Sequence, residues 1–206
     1  MRIEPDITLE YKLWQSGLTY VTGMDEAGRG ALAGPVAVGA VIFPKQANLS
    51  SALSGVRDSK QMTPRARERL APRIKESALT WCVGFASSDD IDSHGIVAAT
   101  HLAALRALEG LFFFADYLLT DFRLELPELD IPQTSLVKGD VKCLSIAAAS
   151  VLAKTARDAL MVELDLQYPG YGLGNHKGYG TPLHRQALKR LGHSAIHRKS
   201  FSFHEQ

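Results

Sequence analysis

The stretch "LTYVTGMDEAGRGALAGPVAVGAVIF", residues 18–43, decides how this chain folds. Its two ends, "LTYVTGM" (18–24) and "PVAVGAVIF" (35–43), are rich in β-branched and aromatic residues and read as strands bounded by Gly and Pro. The short Gly-rich joint between them predicts an antiparallel hairpin. That joint holds two adjacent acids, Asp25 and Glu26, and then an arginine between glycines, Gly28-Arg29-Gly30. On a continuing strand the two carboxylates would point to opposite faces, whereas the glycines beyond allow the backbone to turn and bring both round.

Outward from the hairpin, "TWCVGFAS" (80–87) reads as a third strand, and "DYLLTD" (116–121) and "TSLVK" (134–138) as short buried strands between helical stretches. A helix is predicted from Thr63, a cap followed by Pro64 in the first turn, with Pro72 expected to kink or split it. A second runs from about Ser93 to Leu111, with Ile96, Leu102, Leu105 and Leu108 at helical spacing. A third, Ala-rich, runs from about Leu144 to Leu166, its small residues suited to close packing against a sheet. The fourth starts at Thr181-Pro182. "RLELPELDIPQT" (123–134) is a loop. Three strands, then helices alternating with two more, predict one mixed α/β sheet with helices on its faces, in a single domain over residues 1–206.

Composition narrows the function. With 23 Lys+Arg against 22 Asp+Glu the net charge is +1, so nucleic-acid binding would have to come from local arrangement. Cys82 and Cys143 lie in apolar surroundings without metal-ligand spacing and read as reduced core cysteines. The N-terminus is charged and has no apolar signal region, and no stretch approaches the roughly 20 apolar residues of a membrane span. A cytoplasmic protein without membrane association is expected. The glycines at 28, 30 and 34 match neither a P-loop nor a dinucleotide fingerprint. His176, His184, His193 and His197 follow no zinc pattern, and His176 and His197 read as hydrogen-bonding to scaffold or substrate. Ser145 and Ser150 lie in the Ala-rich helix after Asp140; Ser150 could face the site, although the reading as a small packing residue is preferred.

Two further acids carry chemistry. Asp121 closes the run "YLLT", at the strand end where α/β sheets place their ligands, and Asp140 follows Gly139 just before the Ala-rich helix. Alone, an Asp at a strand end is usually a turn or capping residue, and Asp116 reads as the solvated start of its strand. Clustered, four carboxylates repel unless cations lie among them. Mg²⁺ takes oxygen ligands and leaves room for a substrate phosphate, and a pair of such ions suits in-line displacement at phosphorus.

"GMDEAGRGALAGP" (23–35) closely resembles the N-terminal signature of the ribonuclease HII family, the type 2 ribonucleases H. The resemblance continues through "DSK" (58–60), "YLLTD" (117–121), "VKGD" (137–140), "SIAAASVLAKTARD" (145–158), "NHKGYGT" (175–181) and "HRKSF" (197–201), collinear over nearly the whole chain. It implies an RNase H-like fold, a five-stranded mixed sheet flanked by helices with a helical C-terminal part. It further implies that Asp25, Glu26, Asp121 and Asp140 are catalytic ligands of Mg²⁺ or Mn²⁺. Gly28, Arg29 and Gly30 match the element that meets the ribonucleotide, and Tyr179 the tyrosine that packs on the neighbouring sugar. The implied activity is endonucleolytic cleavage of the RNA strand of RNA/DNA hybrids. It extends to incision 5′ of a ribonucleotide embedded in duplex DNA, by a monomer, leaving 3′-hydroxyl and 5′-phosphate ends.

Lys60, in "DSK", is read as a phosphate contact, with Lys138 and Lys142 as weaker ones. The chain departs from the family pattern at Phe122, usually glycine, and Gly180, usually proline. The first bears on how the loop after Asp121 turns and the second on how firmly Tyr179 is held. The tail "HRKSFSFHEQ" (197–206) shows no obvious clamp-binding peptide. A metal-dependent phosphatase or exonuclease on such a sheet would also need clustered acids, but neither the Gly-Arg-Gly element nor Tyr179. A hybrid-binding module without catalysis would have lost at least one of the four acids.

Overall fold

The structure, a computed structural model, describes residues 4–46 and 48–201, so the last five residues of the tail lie outside it. In chain order the elements are α1 (Thr8–Gln15), β1 (Val21–Ala27), β2 (Val36–Ile42), α2 (Leu49–Ala52), α3 (Pro64–Ser77) and β3 (Thr80–Ala86). There follow α4 (Ser88–Glu109), β4 (Tyr117–Asp121), β5 (Gln133–Leu136), α5 (Gly139–Lys142), α6 (Leu144–Gln167), α7 (Leu173–His176) and α8 (Pro182–Leu191). The five strands form one sheet in the order β3-β2-β1-β4-β5. β1 pairs antiparallel with β2, the hairpin expected, and parallel with β4, while β5 extends the sheet parallel to β4. The sheet is therefore mixed, with β1 at its centre and its carboxyl end beside that of β4.

β1 and β2 are buried on both faces, which is why they read as near-continuous apolar runs. On one face, Val41, Leu119, Ile146, Val151 and Leu152 form a core with α3 residues Leu70 and Ile74. On the other, Met24, Val36, Val38 and Leu118 pack against Ile91, Ala99, Ala103 and Ala107 of α4. The small residues of α6 do what their size suggests. A Cβ on Gly39 would lie 2.3 Å from the carbonyl oxygen of Ala149, and one on Gly23 would lie 2.2 Å from the backbone of Ser145. Helix and strand approach backbone to backbone, directly behind the acids of β1.

Several local expectations change. β1 runs through both acids, with Asp25 opposite Gly39 and Glu26 opposite Val38, so the turn comes after them. Pro72 leaves α3 a single helix. Pro72 and Glu68, whose carbonyl loses its partner, are on the exposed face, where water can take the bond, and Arg67, Leu70, Ala71 and Ile74 anchor the buried face. The helix expected from Ser93 starts at Ser88, behind a capping box in which Ser87 and Asp90 satisfy each other's backbone N–H, and it breaks at Gly95, whose φ is +81°. α1 carried no cap signal, yet its Glu10 reaches across to accept hydrogen bonds from Ser145 N and Cys143 Sγ, closing the N-terminus of α6. Asp116 is half-buried and accepts from the N–H groups of Thr19 and Tyr20, so it braces the entry to β1 instead of lying in solvent. Both cysteines are free, Cys143 buried and Cys82 half-buried.

Candidate active site

The adjacent carboxyl ends of β1 and β4 bring Asp25, Glu26 and Asp121 together, with one oxygen from each within 4.8 Å of the others. Asp25 is 2 % exposed, and its Oδ1 accepts from the N–H of Glu26. Asp25 Oδ2 and Glu26 Oε2 are buried without a hydrogen-bond partner among the described residues. Burial, then the charge of Glu26 and more weakly that of Asp121, push the Asp25 carboxyl well above its ordinary range, against smaller downward pulls from the nearby Ser150 and Lys60. Orphaned oxygens on crowded acids are what a hard divalent cation satisfies, so these residues fit such an ion.

Asp140 is nearby but outside that trio. It lines a cavity with Asp58, Lys60, Asp121 and Phe122, and its pKa is raised to about 6 by burial and by the charges of Asp58 and Asp121. α5 delivers it. Lys138 adopts a left-handed φ of +56°, and the N–H of the next residue, Gly139, donates to Asp121 Oδ1 at 2.9 Å, so the third acid fixes the loop that carries the fourth. The loop after Asp121 is pinned by Leu124 N to the Asp121 carbonyl and by Phe122 N to the Leu136 carbonyl, which leaves the Phe122 ring exposed.

A second cavity, of about 310 Å³, adjoins the first through Lys60 and is lined by Glu26, Gly28, Arg29, Gly30, Lys154 and Tyr179. Burial lowers the pKa of Lys60, but the carboxylates of Asp25, Asp58, Asp140 and Glu26 outweigh it and the net shift is upward. The two glycines differ. Gly28 has a φ of +86°, and a Cβ there would strike the Arg157 side chain, whereas Gly30 has no positive φ and a Cβ would meet nothing within 4 Å. The fold itself therefore requires glycine at 28 but not at 30. Arg29 donates to the carbonyl of Arg123, tying the Gly-Arg-Gly loop to the turn after β4. The Tyr179 ring lies 5.2 Å from Lys154 Nζ and 5.5 Å from Arg157 Cζ. The Gly180 carbonyl accepts from Arg185 Nε at 3.0 Å, and Tyr179 N donates to the His176 carbonyl.

The structure thus gathers the four acids, Gly28, Arg29, Gly30, Lys60, Lys138 and Tyr179 at or around these two cavities, whereas Lys142 lines neither. The structure also adds four. Ser150 bonds Ser59 Oγ at 2.8 Å beside Asp25, so of its two readings the one facing the site holds over the preferred packing one; Asp58 faces Asp140; and Arg157 and Arg198 lie beneath the Gly-Arg-Gly loop. Asp58 stood in "DSK", Arg157 in "SIAAASVLAKTARD" and Arg198 in "HRKSF", but nothing in those stretches marked either arginine for burial, because arginine is normally a surface residue.

Among solved structures, ribonuclease H2 from Pyrococcus horikoshii OT3 superposes with a TM-score of 0.72 at 25% identity, covering 88% of this chain and 93% of that one. Ribonuclease HIII from Bst, solved in complex with Mn²⁺, shares the fold at a TM-score of 0.61 and 18% identity, covering 84% of this chain and 63% of its own. Fold and site together define an RNase H-like α/β protein with clustered carboxylates at its central strand ends. The family model described as Ribonuclease HII matches residues 22–204. Ribonuclease HII of Desulfitobacterium hafniense is 49% identical over 201 residues, 98% of this chain and 75% of that one, and that of Thermus thermophilus is 50% identical over 194, covering 94% and 91%. The chain belongs to the ribonuclease HII family and is a ribonuclease H, an endonuclease.

Proposed function

We propose that the chain hydrolyses the RNA strand of RNA/DNA hybrids and incises duplex DNA on the 5′ side of an embedded ribonucleotide, with Mg²⁺ or Mn²⁺ held by Asp25, Glu26, Asp121 and Asp140. In this reading residues 1–206 act as one catalytic domain, as a monomer, in the cytoplasm. The carrying observation is adjacency: a carboxylate trio with two orphaned buried oxygens opens onto a cavity floored by Gly28-Arg29-Gly30 and walled by Tyr179. A relative of the same fold was solved with Mn²⁺, which supports a divalent cation here. Bound among the acids, that cation would supply charge stabilisation to the developing phosphorane and activate water.

The chain's own residues do the rest. Gly30, free of any packing demand for glycine, leaves room for a sugar to approach the loop. The 2′-hydroxyl is the group that separates RNA from DNA there. Arg29 and Lys60 hold the flanking phosphates, and the Tyr179 ring, braced by Lys154 and Arg157, packs on the neighbouring sugar. Water oxygen bonds to phosphorus as the bond to the 3′-oxygen of the upstream nucleotide breaks, and that oxygen leaves as the hydroxyl.

The test is a labelled DNA duplex carrying one ribonucleotide, incubated with Mg²⁺, Mn²⁺ or EDTA beside an all-DNA control. Incision 5′ of the ribonucleotide with either metal, none in EDTA and none in the control is expected. No nick with either metal would sink the reading, and a nicked control would point to a general nuclease.

A further inference from the structure

Two buried arginines lie under the loop that carries Gly28-Arg29-Gly30. Arg198, 1 % exposed, donates from Nη2 to the carbonyl of Gly28 (2.8 Å), from Nη1 to that of Arg29 (2.7 Å) and from Nε to that of Gly34 (3.0 Å). Arg157, fully buried, donates from Nε to Pro35 (2.8 Å), from Nη2 to Ala33 (3.1 Å) and from Nη1 to Lys177 (2.9 Å). All six acceptors are backbone carbonyls. Burial, and then the like charge of Arg157, depress the Arg198 pKa to about 9. Holding two guanidiniums there without a carboxylate in their hydrogen bonds is a cost to stability that calls for another return.

Peptide geometry supplies it. The peptides of this loop are trans, so each N–H points opposite to the carbonyl of the same unit. With the carbonyls of Gly28 and Arg29 drawn inward onto Arg198, the N–H groups of Arg29 and Gly30 are turned outward, to the side where Gly30 is exposed and the cavity lies.

We infer that Arg198 is a positioning residue for substrate discrimination: it sets the Gly28 and Arg29 peptides so that two backbone N–H donors face the groove, there to be accepted by the 2′-oxygen and adjoining phosphate of a ribonucleotide. Arg157 fixes the second half of the same loop and, through the Lys177 carbonyl and the Tyr179 ring, holds that loop in register with the segment bearing Tyr179. This inference rests on the substrate reading above. Lysine at 198 keeps a charge but cannot fork to three carbonyls, so Arg198→Lys separates charge from orientation.

The experiment is fluorescence anisotropy in EDTA, comparing affinity for a one-ribonucleotide duplex with that for an all-DNA duplex of the same sequence, in wild type and Arg198→Lys. A wild-type preference of about tenfold, the worth of roughly one good hydrogen bond, should fall toward one in the variant. All-DNA affinity should stay within about twofold, since surface phosphate contacts are untouched. A general loosening would instead weaken both duplexes alike and overturn the inference, as would a preserved preference in folded variant. If Arg198→Lys does not fold, wild-type amide NMR decides: the Arg29 and Gly30 N–H signals should shift with the ribonucleotide duplex and not with the all-DNA one, and equal shifts overturn the inference. A wild type that binds both duplexes alike also overturns the inference, whereas the substrate reading fails only if neither metal supports a nick at the ribonucleotide, so the two failures are distinguishable.

Discussion

Asp25 concentrates the conflict on which the site runs. It is buried, it abuts Glu26 and Asp121, and its carboxyl is pushed well above the ordinary range by those same causes, so the uncomplexed fold resists the charge that a cation would stabilise. Asn at this position keeps the volume and the oxygen that accepts from Glu26 N but removes the negative charge. Asp25→Asn is therefore expected to lower the cleavage rate by about 10³-fold or more, the equivalent of several kcal/mol of lost charge stabilisation. Duplex binding should change little, because the phosphate contacts proposed for Arg29 and Lys60 remain. Initial rates on a ribonucleotide-containing duplex alongside anisotropy on the same duplex check both halves, and a variant that cleaves within tenfold of wild type would remove Asp25 from the machinery.

At the scale of elements, the acids are held in place by how closely α6 lies against β1 and β2. Gly39 is opposite Asp25 across the hairpin and faces the Ala149 carbonyl at a separation no side chain tolerates. Gly39→Ala should cost roughly 2–3 kcal/mol of stability, since the clash is with backbone and cannot be relieved by a rotamer change. A urea unfolding midpoint equal to wild type's would refute that packing. The strands, the Ala-rich helix and the acids at strand ends were legible in the sequence because period, residue size and adjacency are local signals. Where α4 starts was legible too, in "SSDD", but the periodicity further along drew the boundary to Ser93. What the sequence could not disclose depends on distant partners: Glu10 capping a helix more than a hundred residues away, and two arginines buried under a glycine loop. In each case a polar residue took a buried post that only a long-range hydrogen bond makes tolerable.

Across the whole molecule, the C-terminal segment locks the first motif. His197 bridges to Ala33, Arg198 N donates to the Leu32 carbonyl, and Arg198 holds Gly28 and Arg29. The histidines complete this lock as a chain with forced tautomers. Tyr179's carbonyl can only accept, so His184 Nδ1 carries the proton; His184 Nε2 then accepts from His197 Nε2 at 3.1 Å, and His197 Nδ1 accepts from Ser194 N. A proton added to either ring would set two N–H groups against each other. Burial first, then the neighbouring His184, His193 and His176, lower the His197 pKa from 6.5 to about 4, against a smaller opposing pull from Ser194. The unfolded chain takes up this proton near its ordinary pKa, so the folded state binds fewer protons across the interval between. This contribution to stability is complete above the unfolded value and is lost as pH falls from 6.5 to about 4. The shift corresponds to about 3 kcal/mol over that window. Urea unfolding at steps from pH 8 down to pH 4 should therefore fall more steeply for wild type than for His197→Gln, the difference opening below about pH 6.5, because other titrating groups are common to both proteins. Parallel curves for the two would mean that His197 titrates alike folded and unfolded, and that the lock on Tyr179 does not depend on a neutral ring.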